Sequence, residues 1–116
     1  LDMLSDDGTF MGGIIIPGVK MMMKSLDEGT YHLSREIGQV TDFPRSTDDA
    51  METGIATVII GTIQQLKEQM FTYRGKNPKV ILTGGHAAQY ADIIKGDVLV
   101  RSNLTLDGLF IIGEHV

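Results

Sequence analysis

The longest periodic run in the sequence spans residues 46 to about 70, and it constrains everything around it. Ser46 can accept a hydrogen bond from the orphan N–H groups of a helix start, with Asp48 nearby and Asp49 three residues on. Met51, Ile55, Val58, Ile59, Thr62, Ile63, Leu66 and Met70 then recur at helical spacing. Gly54, Ala56 and Gly61 lie within this run. A glycine inside a helix costs roughly 1 kcal/mol against alanine, so two of them predict that another helix or strand approaches closely. A helix this long has to bury its apolar stripe, and the flanking residues must supply the layer that covers it.

Those flanks read as short strands and helices. Residues 1–4 form an apolar strand, and Ser5-Asp6-Asp7-Gly8 is a tight-turn signal. Residues 9–16 read as a second strand, with Gly12 and Gly13 marking a bulge or the close approach of another backbone or a ligand. Pro17-Gly18 ends it. From residue 19 to about 33 the pattern is helical, with Met22, Met23 and Leu26 on one face. Met21-Met22-Met23 reads as adaptable core filler, and Ile37 and Val40 as part of a loop or short extended piece. Residues 74–78 form a loop, and residues 79–83 a short strand expected to be buried on both faces. Gly84-Gly85 follows, then a helix over 86–94 and an extended piece over 97–101. Asn103 and Thr105 are candidate caps for a last helix carrying Leu106, Leu109, Phe110 and Ile112. The sum is a layered α/β domain, and 116 residues suit one domain with one core. The chain opens at Leu1, already in a strand-forming run, which reads as a cut.

Charge and composition narrow the partners. A net charge of -5 argues against nucleic acid or an anionic membrane as the main partner. A phosphate ligand would therefore rely on local backbone N–H groups. The absence of cysteine leaves no disulfide framework, thiolate metal site or cysteine nucleophile, and it fits a cytoplasmic location. No apolar run has the length of a bilayer span, so no membrane partner is expected. His32, His86 and His115 have no ligand spacing among them, and no metal site is expected.

Three stretches could carry chemistry. Gly12-Gly13-Ile14-Ile15-Ile16-Pro17-Gly18 is a glycine-bearing strand and turn, or simply a bulged strand. Thr83-Gly84-Gly85 follows a buried strand, where ligands of open α/β sheets sit and where glycines let a phosphate approach the backbone. A plain turn explains the same pair. Ser46-Thr47 opens the long helix, and capping alone would account for both hydroxyls.

Taken in order, these stretches resemble the type III pantothenate kinases, including the Bvg accessory factor branch. That family carries a strand ending Gly-Gly-x-Ile-x-Pro-Gly, which residues 12–18 repeat. Its helix with a leucine and a Thr-Ala-x-Leu-Pro turn corresponds to Leu26 followed by Gly29-Thr30-Tyr31-His32-Leu33-Ser34. Its Asn-Thr-x-x-Ala-Met-x-x-Gly helix start corresponds to Ser46-Thr47-Asp48-Asp49-Ala50-Met51-Glu52-Thr53-Gly54. Thr83-Gly84-Gly85 and Leu104-Thr105-Leu106-Asp107-Gly108-Leu109 complete the set. Tyr31, Ser34 and Ser46 depart from it, standing where the family has alanine, proline and asparagine.

The resemblance implies the C-terminal lobe of an actin-like ATPase (ribonuclease H-like) fold over residues 1–116, without its N-terminal lobe. It implies transfer of the ATP γ-phosphate to pantothenate, the first step of coenzyme A synthesis, by a homodimer. Magnesium would accompany the nucleotide, with a monovalent cation, K+ or NH4+, also used. Thr47 would contact pantothenate, and Gly84 and Gly85 the nucleotide. The family's Asp-x-Gly-Asn phosphate loop, its Gly-x-Asp-Arg segment with the catalytic base and its cation-holding Asp-x-Gly-Thr-Ala loop do not occur in these residues. No catalytic residue is therefore expected here, and the chain alone is expected to be inactive. A non-catalytic accessory or regulatory protein of the same fold, or another actin-like small-molecule kinase, are the alternatives.

Overall fold

The computed structural model describes residues 1–29 and 37–114. It divides into two compact units, Leu1–Lys76 and Asn77–Val116.

The first unit begins with an antiparallel hairpin of β1 (Asp2–Leu4) and β2 (Phe10–Gly13). Its turn forms where the Asp-Gly signal predicts, with the Gly8 N–H donating to the Ser5 carbonyl at 2.9 Å. Gly8 takes a φ of 82°, which glycine adopts without a Cβ penalty. Met3 pairs with Gly12 but Leu4 pairs with Phe10, so Met11 is the extra residue of a β-bulge. Gly12 turns through a φ of 131° at that bulge. At Gly13 a Cβ would sit 2.6 Å from the Leu1 carbonyl oxygen, which is the close backbone approach the paired glycines predict. The second strand is shorter than the expected 9–16, because pairing runs out where Ile14 exchanges hydrogen bonds with Leu1. Ile15 beyond it is 99% exposed.

α1 (Val19–Gly29) follows, with Met22 and Met23 half-buried and Met21 exposed, so only part of the methionine triplet packs. The Gly29–Ser34 stretch and His32 fall largely outside the described residues.

α2 (Thr47–Arg74) starts where the cap predicts, the Ser46 hydroxyl accepting from the Asp49 N–H at 3.1 Å. It runs four residues past the expected end. Gly75 adopts the left-handed conformation and its N–H donates to the Phe71 carbonyl at 2.7 Å, closing the helix as a glycine at that position does. α1 packs on α2, and Met51, Ile55, Ala56, Ile63 and Leu66 form the buried stripe. Val58 stays exposed.

The second unit holds β3 (Val80–Leu82), α3 (Ala87–Ala91), β4 (Val98–Val100) and α4 (Leu104–Glu114). β3 and β4 are parallel, Val80 pairing with Val98 and Leu82 with Val100. A parallel pair needs a crossover, and α3 provides it. α3 packs on both strands, with Ala87 and Tyr90 buried beside Ile94. Ile81 is 51% exposed, so β3 is not buried on both faces: α3 covers one face of a sheet of two strands. α3 is also shorter than expected, giving way to a turn in which Ile93 and Ile94 both donate to the Tyr90 carbonyl. α4 begins one residue after Asn103, whose carbonyl accepts from the Asp107 N–H at 2.8 Å. No described helix is long and apolar enough to cross a membrane.

Candidate functional site

Thr47 is the first residue of α2 and is exposed. The 3.6-residue period places Ala50 and Gly54 on the same face, and both are exposed as well. Nothing lies within 4 Å of a Cβ built at Gly54 or at Gly61. Among the described residues, none makes the close approach predicted for these two glycines.

A different face of the same turns is occupied. Residues 37–41 run along it without regular secondary structure. The Gln39 N–H donates to Asp49 Oδ1 at 2.9 Å. The Thr41 N–H donates to Thr53 Oγ1 at 3.1 Å, and the Thr53 hydroxyl donates to the Gln39 carbonyl at 3.4 Å. Gly38 lies so close to the helix that a Cβ there would overlap the Asp48 carbonyl. Asp49 thus contributes its N–H to the cap, while its carboxylate serves residues 37–41. The sequence reading gave Asp49 to the cap alone and did not single out Thr53. Their spacing of four, the spacing that puts two side chains on one helix face, was the available signal.

Gly84 and Gly85 lie in the second unit, between the carboxyl end of β3 and α3. Gly84 has a φ of 103°, and the Ala87 N–H donates to its carbonyl at 3.3 Å. Gly85 is not in the positive-φ region, and a Cβ on it would meet nothing within 4 Å. Both are exposed. Among the described residues no three His, Asp or Glu side chains gather as a cation site. Thr47 and the glycine pair belong to different units.

The hairpin turn carries a carboxyl group with a shifted pKa, that of Asp7. Asp7 accepts a short hydrogen bond from the Ser5 hydroxyl and one from the Thr9 N–H at 3.1 Å. These bonds favour the ionised form and lower its pKa from 3.8 to about 2.

These features define a mixed α/β protein with two candidate ligand positions, a helix start and the end of a parallel strand. Comparison with known sequences makes the assignment specific. The profile of the family described as "Type III pantothenate kinase" matches residues 1–69. The chain is 37% identical over 110 residues to the type III pantothenate kinase of Chromobacterium violaceum, covering 94% of this chain and 46% of that protein. It is 38% identical over 109 residues to that of Leptothrix cholodnii, covering 94% and 42%. With that of an Azoarcus species it shares 38% over 112 residues, covering 97% and 42%. The chain belongs to the type III pantothenate kinase family, and it spans less than half the length of these relatives.

Proposed function

We propose that residues 1–116 are the C-terminal lobe of a type III pantothenate kinase with an actin-like ATPase (ribonuclease H-like) fold. The complete protein transfers the γ-phosphate of ATP to the hydroxyl of pantothenate, the first step of coenzyme A synthesis. The observation that carries this reading is the likeness along 94–97% of the chain to proteins of that name.

Within the reading, Thr47 contacts pantothenate from the exposed first turn of α2, and Gly84 and Gly85 let the nucleotide approach the end of β3. The catalytic base and the phosphate loop belong to segments that do not occur in these residues, so the chain alone does not turn over. Magnesium arrives with ATP. The monovalent cation, K+ or NH4+, is held by the Asp-x-Gly-Thr-Ala loop. No residue here is assigned to either ion. The protein works as a cytoplasmic homodimer, with the open Gly54 and Gly61 positions of α2 facing the symmetry mate.

Steady-state kinetics of the full-length protein test the assignment. Wild type phosphorylates pantothenate, and Thr47→Val raises the KM for pantothenate several-fold, as the loss of one hydrogen bond of about 1 kcal/mol implies. An unchanged KM would leave Thr47 as a helix-start residue only. A folded full-length protein without turnover would favour the accessory protein of the same fold.

A further inference from the structure

We infer that Asp49 and Thr53 are positioning residues: they splint residues 37–41 against the first two turns of α2 and so hold Thr47 in place for pantothenate. The inference rests on the reading of Thr47 given above. A helix start is the part of a helix that frays, because its first N–H groups lack intrahelical partners. Thr47 stands at that weak point, on the first residue of α2. Ser46 satisfies one orphan donor, the Asp49 N–H.

What holds the turn further comes from outside the helix. Asp49 and Thr53 are one turn apart and together make three hydrogen bonds to residues 39 and 41. Both partners of Thr53 are backbone groups, and its hydroxyl is used as donor and acceptor at once. Gly38 brings the backbone into contact with the Asp48 carbonyl, in a space no Cβ fits. The splint lies well round the helix from Thr47, two and six residues further on, so it fixes the turn while leaving the Thr47 face open. Holding a contact residue in its productive position before the ligand arrives is preorganisation, and it appears in binding of that ligand alone.

The experiment compares full-length wild type, Thr53→Val, Thr53→Ser and Thr47→Val. Valine keeps the shape of threonine and removes both functions of the hydroxyl; serine keeps them. Thr53→Val is expected to raise the KM for pantothenate roughly three- to tenfold and leave the KM for ATP unchanged. Thr53→Ser is expected to restore the wild-type value to within about twofold. Hydrogen exchange at the Gln39 and Thr41 amides is expected to quicken in Thr53→Val and not in Thr53→Ser. A merely structural role would move both KM values together with the melting temperature, and that result overturns the inference. Unchanged amide exchange in Thr53→Val overturns it too. If Thr47→Val raises the pantothenate KM while Thr53→Val does not, this inference falls and the pantothenate reading stands. If Thr47→Val is silent, the pantothenate reading of Thr47 falls and takes this inference with it.

Discussion

Gly84 and Gly85 are neighbours under different constraints. Gly84 needs its positive φ of 103°, where any side chain is strained by about 1–3 kcal/mol. Gly85 carries no such strain and faces open space. Gly85→Val is therefore the cleaner probe of nucleotide approach. In the full-length protein it is expected to weaken ATP binding more than pantothenate binding, with little change in melting temperature. Calorimetric titration with each ligand beside a melting curve checks this. Equal losses for both ligands with a lowered melting temperature would give the pair a purely structural role. Asp7 gives a pH prediction at the same scale. Its folded pKa of about 2 lies below the unfolded value of 3.8, so its stabilisation of the hairpin turn is present above the unfolded value. That contribution is lost as pH falls from 3.8 through about 2. An NMR titration of the Asp7 carboxyl should follow this window, and Ser5→Ala, which removes the first cause of the shift, should move the midpoint up. A midpoint unmoved by Ser5→Ala would contradict the hydrogen-bond origin.

At the scale of elements, legibility followed the kind of force at work. The start of α2 was readable because a cap is a local event: Ser46 and Asp49 are three residues apart in sequence and in contact. Its apolar stripe was readable through Met51, Ile55, Ile63 and Leu66, although Val58, on the periodic pattern, is exposed. Its end is not legible, because Gly75 sits in a stretch of loop composition, and only its left-handed φ shows that it closes the helix. The paired glycines at 12 and 13 signalled the bulge and the backbone contact that they make. The course of residues 37–41 was not readable. It has no periodicity, and the groups that hold it are ten to fourteen residues distant along the chain. The burial of β3 was overestimated because an apolar run does not reveal how many layers cover it. α2 also carries the prediction for assembly. Gly54 faces open space, so alanine there should stabilise the helix of a separated chain by about 1 kcal/mol. Across a close helix pair the same methyl group would push the mates apart. Sedimentation equilibrium of the full-length protein at micromolar concentration is expected to give a dimer for wild type and a shift toward monomer for Gly54→Ala. A wild-type monomer would contradict the dimer role of α2.

For the whole molecule, the ordered set of motifs carried more than any one of them. Residues 12–18, Ser46-Thr47 and Thr83-Gly84-Gly85 are each explained by ordinary turns and caps, yet their succession points to one family, to which the comparisons assign the chain. The division into Leu1–Lys76 and Asn77–Val116 falls within residues 74–78, whose Gly-Lys-Asn-Pro composition reads as a loop and does not distinguish an ordinary turn from a boundary between units. α4 leaves Leu104, Leu106, Leu109, Phe110, Ile111 and Ile112 exposed. Phosphoryl transfer needs a base, phosphate-cradling backbone and bound cations assembled together. The central claim is that this chain supplies part of that assembly in a pantothenate kinase. Its most direct test is a transfer assay with γ-labelled ATP and pantothenate, run on the full-length protein and on the 116-residue chain side by side. The account predicts labelled phosphopantothenate from the full-length protein and none from the chain alone; transfer by the chain alone, or none by a folded full-length protein, would contradict it.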